Sequence, residues 1–152
     1  MPSARLLYVA LVAAVIVGLA GGLAGYTFVY AKGASYLSND PAVCINCHLM
    51  NDQYHAWTRG SHHDVAVCID CHMPHNVVLK LGLKAWNGFR HSWMFTTGDH
   101  PDYVLITPIN RAVTERQCRA CHRPIVEAIY ARPDFGMALD CVRCHRSVGH
   151  LE

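Results

Sequence analysis

All eight cysteines of the 152-residue chain fall into four copies of one pattern, in which two cysteines lie three positions apart and a histidine follows at once. The copies are Cys44, Cys47 and His48; Cys68, Cys71 and His72; Cys118, Cys121 and His122; and Cys141, Cys144 and His145. Zinc sites and disulfide frameworks do not require a histidine after each second cysteine. The pattern is typical of c-type haem attachment, in which the histidine supplies an axial ligand. The sequence therefore predicts four covalently attached c-type haems.

The spacing of the motifs indicates internal organisation. The first and second motifs start 24 residues apart, the third and fourth start 23 apart, and 50 residues separate the second from the third. We therefore predict two di-haem halves, residues 44–75 and 118–150, joined by an insert, residues 76–117. An insert of that length is expected to have a purpose beyond carrying haem.

A long uncharged segment precedes the motifs. Residues 6–31 contain no charged side chain, and as a helix they would reach roughly 39 Å, enough to cross a bilayer with tilt. The apolar part of a cleaved signal peptide is usually shorter, about 7–15 residues, so an uncleaved anchor is predicted. Because haem is attached outside the cytoplasm, residues 1–5 are predicted to be a cytoplasmic tail. Residues 32–152 are predicted to form a periplasmic tetrahaem domain on a single-pass inner-membrane anchor.

The 121 residues after the anchor are too few to build an ordinary apolar core around each of four haems. The haems themselves are expected to form the core. The predicted fold is therefore mainly α, with one transmembrane helix and a compact multihaem domain of short helices and loops. The formal charge of +2 does not indicate a nucleic-acid partner, because four haems would add up to roughly eight propionate charges.

The insert contains a tryptophan-rich stretch, residues 77–98. If it is helical, Lys84 and His91 share a face because they are seven residues apart, although Gly82 and Gly88 weaken a helix. Aromatic amphipathic segments of this kind favour the lipid headgroup layer. Two interpretations remain open: a helix that lies on the haems with a solvated lysine, and a quinol pocket at the membrane surface, which the anchor favours.

Met50 raises a separate question about the first motif. It follows His48 by two residues, and methionine is the other common axial ligand of haem iron. Residues so close in the chain cannot easily bind opposite faces of one iron. Met50 therefore either displaces His48 or packs beside the haem, and methionine more often packs.

Seven histidines lie outside the motifs: His55, His62, His63, His75, His91, His100 and His150. His150 follows His145 by only five residues, too few to pass round the macrocycle to the other face of the same haem. It is expected to reach a neighbouring haem, most simply the third. His75 lies three residues beyond His72 and is predicted to be structural.

Four stretches carry a resemblance to a known family: YLSNDPAVCINCHLMN, AWTRGSHHDVAVCIDCHMPHN, NGFRHSWMFTTGDHP and CVRCHRSVGH. Together with the anchor they resemble the NapC/NirT family of membrane-anchored tetrahaem quinol dehydrogenases. Within that family the chain is most similar to the branch of small subunits that serve periplasmic ammonia-forming cytochrome c nitrite reductases. The likeness extends over nearly the whole chain.

The resemblance implies a set of iron ligands. Met50 would take the iron of the first haem in place of His48. The family's Trp…Ser-x-His pattern places a distal ligand at His63, with His62 as the less favoured neighbour, and by elimination His63 would serve the fourth haem. A partner's lysine would complete the second haem, through which electrons would leave.

The resemblance also implies a quinol site. Lys84 matches a lysine that contacts quinol, whereas some relatives carry an acid at the position of His91. Quinol oxidation releases protons, so His91 is predicted to be either a proton acceptor or a ligand of the first haem.

The predicted function is menaquinol oxidation, with electrons passed to the pentahaem catalytic subunit of a periplasmic nitrite reductase and with a homodimer also expected within the complex. The chain is not predicted to reduce nitrite itself, because that chemistry in the partner family uses a CxxCK haem and all four motifs here end in histidine. The alternatives are a donor to another reductase such as nitrate reductase, an electron conduit without quinol chemistry, and a zinc-binding anchor protein.

Overall fold

The structure is a computed structural model that describes residues 3–101, 103–132 and 139–150. The first two residues of the predicted cytoplasmic tail lie outside the described part. Every regular element in these ranges is helical, which confirms the prediction of a mainly α fold. The α-helices in these ranges are α1 (Ala4–Tyr30), α2 (Asn51–Trp57), α3 (Cys68–His72), α4 (Val77–Thr97), α5 (Pro108–Cys121), α6 (Arg123–Tyr130) and α7 (Cys141–Cys144). Short 3₁₀ helices cover Gly33–Leu37, Pro41–Asn46 and His48–Met50.

The chain divides into two compact units, and the boundary follows Ser38. The first unit contains α1, whose 27 residues have a mean hydropathy of 2.5 and no buried side chain. By length and composition this helix can cross a membrane. Tyr26 and Tyr30 stack near its end with ring centroids 6.0 Å apart, and Lys32 adopts a left-handed conformation with φ of 51° just after it.

The second unit, from Asn39 onward, has almost no core of its own. Among the described residues only Ala56 and Gln117 are buried. Large apolar side chains such as Leu49, Val65 and Leu105 are more than half exposed. Protein interiors are normally close-packed with such side chains, so packing among the polypeptide's own apolar groups contributes little to holding this unit together.

The longest helix of the second unit, α4, is defined by its two ends. The Asn76 side chain accepts a hydrogen bond from the Leu79 backbone N–H at 3.1 Å, which satisfies one donor of the first turn. Gly98 ends the helix in the left-handed conformation, with φ of 72°. The helix runs without interruption through Gly82 and Gly88, so the two glycines do not break it.

Helix α5 lies at the centre of the second unit. The short helices α3 and α7 both pack against it, although they come from different halves of the sequence. Asn110 of α5 and Asn87 of α4 exchange two amide hydrogen bonds of 3.2 and 3.3 Å. The second, third and fourth motifs and the insert therefore meet around one helix.

Candidate haem and quinol sites

Three of the four motifs lie on short helices or at a helix end. The second motif is α3, the third ends α5, and the fourth is α7 with the histidine that follows it. Cysteines three residues apart on a helix lie on one side of it, so both thiols of such a motif face the same way. None of the eight cysteines is in a disulfide bond. Each pair is therefore available for the two thioether bonds of a c-type haem.

Neighbouring motifs in the sequence are also neighbours in space. The Cys68 thiol hydrogen-bonds the Cys44 sulfur and lowers the pKa of Cys44 to about 7. Burial raises the pKa of Cys71, and the charges of Asp70 and of Cys121 in the third motif raise it further. Burial also raises the pKa of Cys118 to about 11, with a smaller contribution from Cys141 of the fourth motif. The four motifs thus form a series in chain order.

Two pairs of histidine rings lie about as far apart as two imidazoles that bind one iron. The His72 and His150 centroids lie 5.8 Å apart, and those of His62 and His122 lie 6.0 Å apart. Metal–imidazole bonds of about 2 Å on both faces of one iron would hold the ring centres about 6 Å apart. His72 and His122 are the attachment histidines of the second and third motifs. The donor set and its spacing therefore fit haem.

The environment of His150 is typical of a metal ligand. Its Nδ1 donates to the Gln53 backbone oxygen at 3.1 Å, which leaves Nε2 for another partner. Ligating histidines usually hold their second nitrogen in this way. Burial, together with the neighbouring His150, lowers the pKa of His72 to about 4, so the His72 ring is available in the neutral form that binds metal.

The structure gives the positions of the candidate distal ligands, whereas their ligation of haem stays a prediction. His150 lies beside His72 of the second motif, whereas the sequence reasoning placed it most simply at the third. His63 packs on Trp57, with centroids 4.7 Å apart, and bonds Asp64 at 3.1 Å. Its neighbour His62 faces the third motif instead. Adjacent histidines point to different surroundings, and no spacing rule in the sequence separates them.

Met50 and His48 lie together in one 3₁₀ turn. The Met50 N–H donates to the Cys47 carbonyl at 2.9 Å, so the methionine is held close to the attachment cysteine. Met50 is partly buried and His48 is exposed. The thioether is thus the more enclosed of the two candidate ligands.

Lys84 and His91 lie on one face of α4, two turns apart. Lys84 is close enough to Cys44 of the first motif for the two charges to interact. Burial and the neighbouring Lys80 lower the pKa of Lys84. Burial and the adjacent Arg90 lower the pKa of His91. This face of α4 therefore brings an ammonium group to the first motif and carries an imidazole that is neutral at neutral pH.

The opposite face of α4 carries aromatic side chains outward. Trp86, Phe89 and Trp93 form a ladder with successive ring centroids 6.5 and 6.3 Å apart, and each is more than half exposed. Lys84 and Asn87, on the other side, are partly buried. In a soluble domain the apolar stripe of an amphipathic helix normally faces the core. In α4 the aromatic side of the helix is the exposed one, and the side with Lys84 and Asn87 is the more buried one.

Comparisons with known proteins place these features in a family. The N-terminal region of the NapC/NirT cytochrome c family matches residues 4–103. The chain is 35% identical over 146 residues to cytochrome c-type protein NrfH of Wolinella succinogenes, covering 90% of this chain and 82% of that protein. It is 32% identical over 124 residues to cytochrome c nitrite reductase subunit NrfH of Nitratidesulfovibrio vulgaris, covering 80% and 73%.

A solved structure gives the same result. A chain of the cytochrome c nitrite reductase NrfHA complex bound to the HQNO inhibitor superposes with a TM-score of 0.62 at 29% identity, covering 89% of this chain and 90% of that one. The resemblance expected from the sequence, including its NrfH-like character, is confirmed. Covalently bound haem is the cofactor that a cytochrome c of this kind carries. The chain belongs to the NapC/NirT cytochrome c family.

Proposed function

We propose that this chain is the menaquinol-oxidising, electron-transfer subunit of a periplasmic nitrite reductase. The curated relatives are NrfH proteins, one of them named as a subunit of cytochrome c nitrite reductase, and the matched structure is an NrfHA complex. The partner is accordingly the nitrite-reducing catalytic subunit, expected to be a pentahaem cytochrome. The observation that carries the proposal is the position of Lys84, which brings a hydrogen-bond donor of α4 to the first haem motif.

Four haems are proposed, one at each motif. When bound, they supply one-electron iron chemistry, which allows the electron pair of a quinol to be passed on singly. The chain's part is to hold them in a row, and the neighbouring thiols of successive motifs support that order. The apolar side chains that the second unit leaves exposed are suited to contact porphyrin.

The axial ligands are proposed from the sequence and from ring positions. When haem is bound, His72, His122 and His145 would serve as iron ligands from the attachment motifs, and Met50 would serve in place of His48. His150 is a distal ligand, supported by the hydrogen bond of its Nδ1 to the Gln53 carbonyl.

The remaining distal ligand comes from the adjacent pair His62 and His63. The family pattern favours His63, and the 6.0 Å separation from the His122 ring favours His62. Two groups are alternative candidates for the remaining ligand of the second haem. One is His150, which lies beside His72, and the other is a lysine supplied by the partner.

Lys84 and His91 divide the work at the quinol site. Oxidation of one quinol to quinone releases two electrons and two protons. The Lys84 ammonium donates a hydrogen bond to a quinol oxygen and holds that oxygen toward the first motif. The neutral His91 imidazole accepts a proton, as its lowered pKa permits near neutral pH. Ligation of the first haem together with Met50 is the alternative role for His91, because a haem iron has two axial positions.

The membrane location follows from α1 and α4. The 27-residue apolar helix α1 serves as a single-pass anchor, with the haem unit in the periplasm, where c-type haem is attached. The outward aromatic face of α4 suits the lipid headgroup layer. The insert, residues 76–117, is accordingly proposed to meet the membrane surface through α4, where menaquinol is available.

Nitrite-dependent turnover tests this proposal. The full chain, purified in detergent, is mixed with a reduced menaquinone analogue, nitrite and the isolated catalytic subunit. Continuous quinol consumption is expected only when all the components are present, because the chain alone can take up electrons only until its own haems are reduced. A chain that accepts electrons from dithionite but never from quinol would instead be a conduit. A chain that oxidises quinol but does not support nitrite reduction would serve another reductase.

A further inference from the structure

Helix α5 carries two polar side chains that connect the third motif to both of its neighbours. Cys118 and Cys121 lie in the last turn of this helix. Glu115 and Gln117 come immediately before them and contact different parts of the unit. Glu115 reaches the fourth motif, and Gln117 reaches the end of the second motif.

Glu115 holds the start of α7. Its two carboxylate oxygens accept hydrogen bonds from the backbone N–H groups of Cys141 and Val142, at 3.0 and 2.8 Å. These donors open a helix and have no partner within it. The Glu115 side chain is only 14% exposed, so the two charge-assisted bonds are largely shielded from water. The first cysteine of the fourth motif is therefore fixed to α5 through its own backbone.

A second contact reinforces this one from the preceding turn of α5. Arg111 donates to both oxygens of Asp140, at 2.7 and 2.9 Å, and Asp140 caps α7 by accepting from the Arg143 N–H at 2.9 Å. Both partners of this ion pair are about 40% exposed, so water screens it and it contributes less than a shielded pair would. Glu115 is thus the better shielded of these two links.

Gln117 makes the matching contact on the other side. It is the one polar side chain that is buried among the described residues, at 6% exposure. Its Nε2 donates to the Met73 carbonyl at 2.9 Å. Met73 directly follows His72 of the second motif, so this bond joins the second motif to the third. Loss of either partner would leave a buried polar group unsatisfied.

We propose that Glu115 and Gln117 are positioning residues that set the spacing between the third haem and its two neighbours. The inference rests on the proposed four-haem function. A c-type haem is bonded to its cysteines, so fixing the backbone at Cys141 and Met73 relative to α5 also fixes the haems. Electron tunnelling slows steeply with distance. The two side chains therefore set the rates of electron transfer between the third haem and its neighbours and leave quinol oxidation untouched.

Glu115→Ala, Glu115→Gln and Gln117→Ala in the full chain test this, with Glu127→Ala on the exposed face of α6 as the matched control. Redox titration with dithionite resolves the four haems and does not depend on quinol. In Glu115→Ala we expect the potential and electron paramagnetic resonance signal of one haem, the fourth, to change and its magnetic coupling to the third to weaken. Gln117→Ala should alter the coupling of the second and third haems instead.

Glu115→Gln retains the shape of the side chain but offers only one acceptor oxygen, so an intermediate change is expected. If Glu115→Ala loses haem altogether, Glu115→Gln with four haems carries the test. Signals in the Glu115 and Gln117 variants that match those of Glu127→Ala would overturn the proposal. Failure of quinol to reduce the wild-type chain would instead contradict the proposed function. The dithionite titration would still test the roles of Glu115 and Gln117, because it does not use quinol.

Discussion

Helices α4 and α5 are neighbours in the same unit but use their polar groups in opposite ways. α5 directs carboxylate and amide groups at other parts of the unit, where they are shielded and hydrogen-bonded. α4 carries its aromatic ladder outward and its Lys84 inward, toward the first motif. The difference indicates that α5 organises the haem attachment sites, whereas α4 connects them to a substrate and to an apolar surface.

The contrast predicts very different costs for substitution in the two helices. Replacing Cys118 and Cys121 by serine removes a haem from α5, in a unit whose described residues include only two that are buried, Ala56 and Gln117. We expect this variant to lose more than one haem and to become sensitive to protease. Trp93 on α4 is 60% exposed. We therefore expect the free energy of unfolding of Trp93→Ser in detergent to stay within about 0.5 kcal/mol of the wild-type value. Haem staining of denatured protein and thermal melts provide the measurements.

A cysteine variant that loses the third haem alone and keeps the other three would contradict this account, because it would mean that the second unit folds without the third haem.

The inward face of α4 is expected to control quinol turnover. Lys84→Ala removes a charge-assisted hydrogen bond, worth about 1.5–3 kcal/mol, so quinol oxidation should slow about 10- to 150-fold. Lys80→Ala is the control variant, because Lys80 is also a partly buried lysine of α4 and lies one turn earlier. Steady-state kinetics of quinol oxidation measures both variants, and dithionite reduction checks that the haems are intact. Equal losses of quinol oxidation in the Lys84 and Lys80 variants would mean that the effect comes from the positive charge of α4 in general, and not from a hydrogen bond between Lys84 and quinol.

The distal ligands provide a sharper test of the pairings around α5. His150→Ala should convert one low-spin haem to high-spin in the electron paramagnetic resonance spectrum. One of the two variants His62→Ala and His63→Ala should do the same for a different haem. The other member of the adjacent pair then serves as its control. Unchanged low-spin signals in both single variants of the pair would exclude the two residues as ligands.

The second haem can be tested without mutation. If a partner's lysine completes it, one haem should pass from high-spin to low-spin when the nitrite reductase subunit binds. An unchanged spin count on reconstitution would assign the site to His150, whose ring lies 5.8 Å from that of His72.

His91 is expected to have the smallest effect, one confined to pH dependence. The imidazole must be neutral to accept a proton, and partial burial lowers its pKa. Activity should therefore rise with pH through a midpoint below about 6.5, the ordinary histidine value, and level off above it. His91→Ala should flatten that rise. An identical pH profile in the variant would assign proton transfer to another group.

Local patterns predicted the parts of this molecule that depend on residues close in sequence. The haem motifs, the apolar helix α1 and the helix across the tryptophan-rich stretch all depend on spacings of a few residues. The link from Glu115 to Cys141 spans 26 residues, and that from Gln117 to Met73 spans 44. Neither polar side chain has a distinctive local pattern, so sequence reasoning missed both.

Orientation was similarly beyond the sequence. Helical periodicity placed Lys84 and His91 on one face, but it did not indicate which face would turn outward, because the usual rule puts the aromatic side inside. The choice between His62 and His63 also depends on packing around Trp57 rather than on spacing.

The most direct test of the central claim is rapid-mixing reduction of the full chain by a menaquinol analogue, followed at the haem absorbance band. We predict that each quinol reduces two haems, that wild type and Glu115→Ala start at the same rate, and that Lys84→Ala starts about 10- to 150-fold more slowly. Haems that dithionite reduces fully but quinol leaves oxidised in the wild type would contradict the claim that electrons enter at the α4 face.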